Sequence, residues 1–217
     1  MYLKIDNEFA DADFYFLETF LKIIDNELSQ IFLRIKHSSD PDSDGLCDLG
    51  EYFIGHGFSA MQRYIVSTYP QTKMKKADSL KLGPKTNDVL FFVEAVDAGA
   101  NYWKHKDEWP LVINTSPPNG LDPEHPDVFD KVPSDYLWSI EIDRTGSHLT
   151  SQSKRTFDLI TKVTPYADYT LSNLLAELLE KHTNSEEILF SPLLPLIQNW
   201  REALDKGKDS DEDIQNS

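Results

Sequence analysis

The fold is decided by residues 86–109, TNDVLFFVEAVDAGANYWKHKDEW, which we interpret as one helix that is apolar around most of its circumference. Such a helix belongs in the middle of a bundle, because it has apolar surface to bury on nearly every side. Thr86 or Asn87 is expected to cap its first turn. At about 100° per residue, its polar side chains fall within a sector of roughly 80°. This polar stripe is either a strip open to solvent or a seam that faces a cleft, and its members are Glu94, Asp97, Asn101, His105 and Glu108.

Apolar residues at spacings of three and four predict further helices on both sides of this stretch. Gly55 and Gly57 lie inside one of them, where each costs roughly 1 kcal/mol relative to Ala, so we expect them to permit a close helix crossing. Short connections between the early helices favour antiparallel neighbours. The fold class is therefore all-α, an antiparallel bundle of about six helices. The additional predicted helices cover residues 11–37, 51–69, 153–163, 171–182 and 192–204.

The middle of the chain breaks this pattern. Five prolines fall between Pro110 and Pro126, and only 111–113 and 136–142 look like strands. An irregular stretch of this length inside a domain is uncommon unless it is a lid, a binding segment or an insertion. We predict a single helical domain, 1–206, with its core at 11–109 and 150–205, an irregular insertion at 110–149, and a disordered acidic tail at 207–217.

The charge balance limits the partners. The formal net charge is −16, from 37 acidic and 21 basic side chains, which argues against wrapping duplex nucleic acid or coating an anionic membrane. A local basic groove is still allowed, and residues 72–85, TKMKKADSLKLGPK, are where it would start. Cys47 is the only cysteine, so an intrachain disulfide is excluded. Because no signal peptide or membrane-spanning run is recognised, we expect a cytoplasmic protein with no membrane partner.

A loop with regularly spaced acids lies between the first two predicted helices. This loop, residues 40–51, DPDSDGLCDLGE, resembles the calcium loop of the EF-hand family. The resemblance implies a structural calcium ion that fixes the angle between those helices. Cys47 departs from the family pattern, and the alternative is an acidic loop without a metal. The implied calcium ligands are Asp40, Asp42, Asp44, the carbonyl of Leu46, Asp48 and Glu51.

A second resemblance lies near the end of the central helix, in the run Asn101 to His105, NYWKH. The sequence here resembles the HEPN superfamily, small helical bundles that include many bacterial RNA-cutting toxins and defence proteins. Asn101 and His105 match the polar residue and the histidine of the family motif, whereas Ala100 stands where the family has arginine. The resemblance implies a protein of a bacterial conflict or defence system that acts on RNA as a homodimer. The missing arginine puts stabilisation of the phosphate charge in doubt.

The same residues also predict chemistry on their own. A metal-independent ribonuclease needs a group that titrates near neutrality and a cation that holds the phosphate. His105 would be the acid–base residue, Lys104 the phosphate-stabilising cation, and Asn101 the residue that orients them. Further contacts with the substrate would come from Arg63, Lys75 and Lys76.

The alternative function is a non-catalytic interaction protein of the immunity or antitoxin kind. The net charge of −16 favours it, because acidic proteins bind basic partner surfaces. The position of the polar stripe separates the two hypotheses. A stripe beside Arg63 or a connector lysine favours catalysis, whereas an open stripe among carboxylates favours the interaction protein.

Overall fold

The computed structural model describes the backbone of residues 2–5, 8–88, 90–105, 111–113, 140–142, 156, 159, 170–185 and 187–215. It describes side chains at 10–88, 90–105, 156, 159, 170–185 and 187–207. Of the residues that can be interpreted, 77% are helical, so the prediction of an all-α helical bundle is confirmed. The α-helices in the described ranges are α1 (Ala12–His37), α2 (Leu46–Thr68), α3 (Lys76–Ser79), α4 (Phe92–His105), α5 (Thr170–His182) and α6 (Leu194–Gln215).

Helix α1 follows the predicted boundaries closely, because its end signals are local. The Asp11 side chain caps it by accepting a hydrogen bond of 3.0 Å from the backbone N–H of Phe14. Basic residues occupy its last turn, where they face the negative end of the helix dipole. Its buried face consists of Phe14, Leu17, Leu21, Ile24, Asp25, Leu28 and Ile31.

Helix α2 starts at Leu46, five residues before the predicted position 51. Leu46 is only 3% exposed, so the first turn is fixed to the core by a side chain that the prediction assigned to the loop. Gly45 precedes it with φ of 67°, a left-handed conformation that glycine adopts without strain.

The predicted start of the central helix is wrong. Lys85–Asn87 and Leu90–Phe91 pair as short antiparallel strands, β3 and β4, and α4 begins only at Phe92. Thr86 therefore does not cap the helix; it is buried, and its Oγ1 lies 3.3 Å from Nε2 of His182. This contact joins residues 96 positions apart in the chain, and no periodicity within one segment reveals it.

Two further strand pairs complete the described backbone. Strands β1 (Tyr2–Ile5) and β2 (Glu8–Asp11) form an antiparallel hairpin that the sequence analysis did not anticipate. Strands β5 (Leu111–Ile113) and β6 (Ile140–Ile142) also pair antiparallel, in agreement with the strand-like segments of the insertion. The predicted helix at 153–163 lies outside the described residues, apart from Thr156 and Leu159.

The core is organised around α2, which packs against both α1 and α4. Gly55 permits the crossing with α4, as expected, whereas Gly57 leaves room for Phe190, which belongs to neither of these helices. A Cβ on Gly55 would come closer than 3.0 Å to the ring of Trp103, and a Cβ on Gly57 would come equally close to the ring of Phe190. The largest fully buried side chains include Trp200, Phe58, Phe92 and Phe190.

The structure describes the backbone of α6 into the stretch 207–217, for which a disordered tail stays a prediction. Helix α6 continues to Gln215. A helix that is already formed and anchored by buried side chains such as Leu204 extends at little cost, because each added residue gains a backbone hydrogen bond without a new nucleation step. Among the helices that the structure describes, none has the length and apolar character needed to cross a membrane.

Candidate functional site

The polar stripe of α4 is a seam rather than a strip open to solvent. Glu94 and Asp97 are 6% and 9% exposed, and Asn101 is half-buried. Glu94 serves the fold, because its Oε2 accepts a hydrogen bond of 3.2 Å from the backbone N–H of Phe91 at the start of the helix. Asp97 and Asn101 instead face α2. Glu108 lies outside the described residues.

The partner of the stripe on α2 is Gln62, which is itself 6% exposed. Its Nε2 donates hydrogen bonds of 2.7 Å to Oδ1 of Asp97 and 2.9 Å to Oδ1 of Asn101. Asn101 in turn donates from Nδ2 to Oδ2 of Asp97 over 3.3 Å. The three side chains therefore hold one another in fixed orientations between the two helices.

Two lysines reach the same group of side chains from different segments. Lys76, in the connector between α2 and α4, donates from Nζ to Oδ1 of Asp97 over 2.7 Å. Lys104, near the end of α4, donates to Oε1 of Gln62. We call Gln62, Lys76, Asp97, Asn101 and Lys104 the polar cluster.

The charges of the polar cluster do not cancel. The polar cluster contains two ammonium groups and one carboxylate, which pairs with Lys76, so the formal charge of the cluster is positive within a protein of net charge −16. Burial lowers the pKa of Lys104, the charge of Lys76 lowers it further, and Asp97 opposes both effects. Lys104 is exposed as a whole residue, yet its ammonium group contacts Gln62. An anion such as a phosphate group would relieve the repulsion between the two lysines.

The structure brings together three of the six residues predicted for catalysis and substrate binding, namely Lys76, Asn101 and Lys104. His105 follows Lys104 directly and is half-buried at the last residue of α4. Arg63 and Lys75 are exposed and are not members of the polar cluster.

Sequence reasoning missed Gln62. The signal was available, because Gln62 follows Phe58 by four residues and precedes Ile65 by three, which places it on the buried face of α2. A polar side chain at such a position needs a partner inside the protein.

An aromatic group lies beside the polar cluster on the same two helices. The ring of Tyr52 has its centroid 4.5 Å from that of His56 and 5.5 Å from that of Trp103. His56 and Trp103 are 5.8 Å apart, and all three contacts are edge-to-face. Tyr52 is 52% exposed, whereas His56 and Trp103 are half-buried. We call these three residues the aromatic trio.

Glu51, the last ligand of the predicted calcium loop, contacts α5 in the structure. The Glu51 carboxylate accepts hydrogen bonds of 2.8 Å from the backbone N–H of Leu171 and 2.9 Å from that of Ser172, at the start of α5. Within the described ranges, no three His, Cys, Asp or Glu side chains gather so as to hold a metal ion. This arrangement does not fit the ion, since Glu51 would have to release α5 to bind it. Calcium binding stays a prediction, which calorimetric titration with CaCl2 tests.

The remaining loop residues also make local contacts. Asp40 accepts a hydrogen bond from the backbone N–H of Ser43, and hydrogen bonding with Ser43 lowers its pKa. Asp44 accepts one of 2.6 Å from the hydroxyl of Ser38. Burial and a hydrogen bond with Asp42 raise the pKa of the Cys47 thiol to about 11, which makes it a poor nucleophile at neutral pH.

Comparison of this chain with models of protein families, with curated proteins and with solved structures finds no match. The geometry of the polar cluster and its surroundings is therefore the basis for a functional proposal.

Proposed function

We propose that this chain is a HEPN-like, metal-independent ribonuclease of a bacterial conflict or defence system. The observation that carries the proposal is the convergence of Lys76 and Lys104 on one half-buried seam beside Asn101, with His105 directly after Lys104 in the sequence. A ribonuclease of this kind needs a cation for the phosphate and an acid–base group next to it.

Lys76 supplies what the family motif lacks. Ala100 carries no charge and is fully buried, so position 100 offers no cation to a substrate. Lys76 comes from the connector instead and reaches the side chain of Asp97, three residues before Ala100. The Asp97 carboxylate offsets the charge of Lys76, and Lys104 adds a second positive charge. In this proposal, Lys76 of the connector stabilises the phosphate charge in place of the arginine.

The reaction would follow from these roles. His105 takes the proton of the ribose 2′-hydroxyl, and the 2′-oxygen attacks phosphorus. The bond between phosphorus and the 5′-oxygen breaks, and the 5′-oxygen takes a proton from solvent, which leaves a 2′,3′-cyclic phosphate and a 5′-hydroxyl. Lys76 and Lys104 stabilise the charge that develops on the phosphate oxygens. Asn101 orients the reacting groups. The proposal includes a cytoplasmic location and a homodimer in which two such sites face each other.

Incubation of the purified protein with tRNA and mRNA tests the proposal. Wild type is expected to cut RNA in the presence of EDTA, and His105→Ala is expected to lose activity by about 100-fold or more. His37→Ala is the matched control, because His37 is exposed at the end of α1. Intact RNA with wild type, or equal cutting by His105→Ala, would exclude catalysis.

A second function is favoured by a different observation. Large apolar side chains lie exposed on the first half of α1, although soluble proteins rarely expose contiguous apolar patches of large size. Together with the net charge of −16, this surface favours an immunity-type or antitoxin-type protein that binds a basic partner. Recovery of no basic protein in a pull-down, together with measurable nuclease activity, would rule this function out. The exposed residues are Tyr15, Phe16, Phe20 and Ile23.

A further inference from the structure

The aromatic trio and the polar cluster both lie along the contact between α2 and α4, which we call the seam. Gly55 of α2 lies against Trp103, and Gln62, seven residues further along α2, is bonded to Asp97. The two helices therefore run antiparallel where they meet. At 1.5 Å per residue, the two ends of this seam are on the order of 10 Å apart.

One end of the seam is aromatic and the other is cationic. A ligand that matches both ends has a flat ring system and an anionic group within roughly 10 Å of it. A single-stranded nucleic acid has this composition at every position, since each base has a π-face and each nucleotide carries a phosphate.

We propose that the aromatic trio binds an unpaired nucleobase of RNA, next to the nucleotide whose phosphate lies at the polar cluster. The proposal rests on the proposed function and names the kind of substrate that the site takes. Tyr52 provides the stacking surface, because half of its side chain is exposed while His56 and Trp103 support the ring from the side. An unpaired base is required because bases inside a duplex are already stacked on their neighbours.

The backbone also favours this role for Trp103. A side chain at Gly55 would occupy the place of the Trp103 ring, so glycine at this position allows the indole to lie directly on α2. The indole is thereby held beside Tyr52 and next in sequence to Lys104. The trio is thus a fixed surface, and little side-chain freedom would be lost when a base stacks on it.

The test measures binding with the His105→Ala variant of this chain, which is expected to leave the RNA probe intact. The probe is a fluorescently labelled oligouridylate 12-mer, and a matched oligomer without bases serves as the second probe. Tyr52→Ala is expected to weaken oligouridylate binding by about tenfold or more. Tyr52→Phe keeps the ring and is expected to bind like the parent. Leu33→Ala is the control, because Leu33 is exposed to the same extent, 52%, on another helix.

The results separate this proposal from the proposed function. Tyr52→Ala binding as tightly as the parent, an equal loss for the oligomer without bases, or no binding by the parent would overturn the stacking site. RNA that is cut by wild type but bound independently of Tyr52 would overturn the stacking site alone. Binding that depends on Tyr52, combined with RNA that wild type never cuts, would support the stacking site and overturn the ribonuclease.

Discussion

At the scale of single residues, Asp11 joins α1, α2 and α6 through its carboxylate. Its carboxylate accepts hydrogen bonds from the Phe14 backbone, from the Tyr64 hydroxyl at 2.5 Å and from Nη1 of Arg201 at 2.8 Å. The side chains of Arg201 and Asp11 are 8% and 3% exposed. Burial by itself would raise the pKa of Asp11, but the hydrogen bonds from Tyr64, Arg201 and Phe14 outweigh it and leave the pKa below its ordinary value.

Replacing Asp11 is expected to be costly. Asp11→Ala would leave the Arg201 guanidinium buried without its carboxylate, and breaking a buried ion pair from one side costs about 3–5 kcal/mol. The free energy of unfolding from urea titration measures this loss. Lys22→Ala is the control, because it removes the exposed pair with Glu18 and should cost less than about 1 kcal/mol. Equal stability of the two variants would contradict the role assigned to Asp11.

The same residue predicts how stability depends on pH. A carboxylate whose pKa is lowered by folding stabilises the folded state above the unfolded pKa, and this contribution is lost as the pH falls through the folded pKa. We therefore expect the melting temperature to fall below about pH 4, the ordinary range of Asp. In Asp11→Asn this acidic decline should be smaller than in wild type. If the melting temperature declines equally in both proteins, carboxylates other than Asp11 cause the decline.

At the scale of helices, the close approach of α2 to its neighbours depends on glycine at defined positions. In the middle of an exposed helix, Gly→Ala is stabilising by roughly 1 kcal/mol. At Gly57 the added methyl group would collide with Phe190, whereas at Gly50 the nearest atom of a neighbouring element would be Cγ2 of Ile31 at 3.7 Å, an ordinary contact. The two glycines of the same helix should therefore respond in opposite ways.

Gly57→Ala is expected to destabilise the protein by about 1–3 kcal/mol through overpacking, and Gly50→Ala to be neutral or slightly stabilising. Thermal melting and urea titration of both variants measure the difference. A stabilised Gly57→Ala would mean that Phe190 moves away without loss.

How far the sequence predicts these elements depends on whether their signals are local. Helix α1 combines an N-terminal Asp with a regular apolar face, and its prediction was nearly correct. The start of α4 was wrong because Thr86 is fixed by a residue of α5. The same holds for the candidate site. The sequence predicts Asn101 and Lys104, which lie on one helix, but the role of Gln62 follows only from its contacts with that helix in the folded protein.

At the scale of the whole molecule, carboxylates of the first two helices hold segments from the end of the chain. Asp25 of α1 is 7% exposed and accepts a hydrogen bond of 2.6 Å from the backbone N–H of Phe190, and further ones from Ser191. Glu51 of α2 does the same for the first turn of α5. These contacts satisfy backbone N–H groups that helix starts otherwise leave without partners.

Glu51→Ala is therefore expected to destabilise the protein by about 1–2 kcal/mol, even in EDTA. Urea titration with and without calcium measures this effect. Glu202→Ala is the control, because Glu202 is exposed on α6 and is not among the predicted calcium ligands. If Glu51→Ala has wild-type stability in EDTA and differs only in calcium, the carboxylate acts as a metal ligand rather than as a cap for α5.

On the ribosome, these acids are synthesised long before the residues that they bind. Asp25 and Phe190 are 165 residues apart, and Asp11 and Arg201 are 190 apart. At about 5–20 residues per second, translation leaves an interval on the order of ten seconds between the emergence of the acid and that of its partner. During this interval the surfaces of α1 and α2 that contact Phe190 lack this neighbour, although the two helices can already pack against each other. We expect the nascent chain to depend on chaperones until Arg201 has left the exit tunnel.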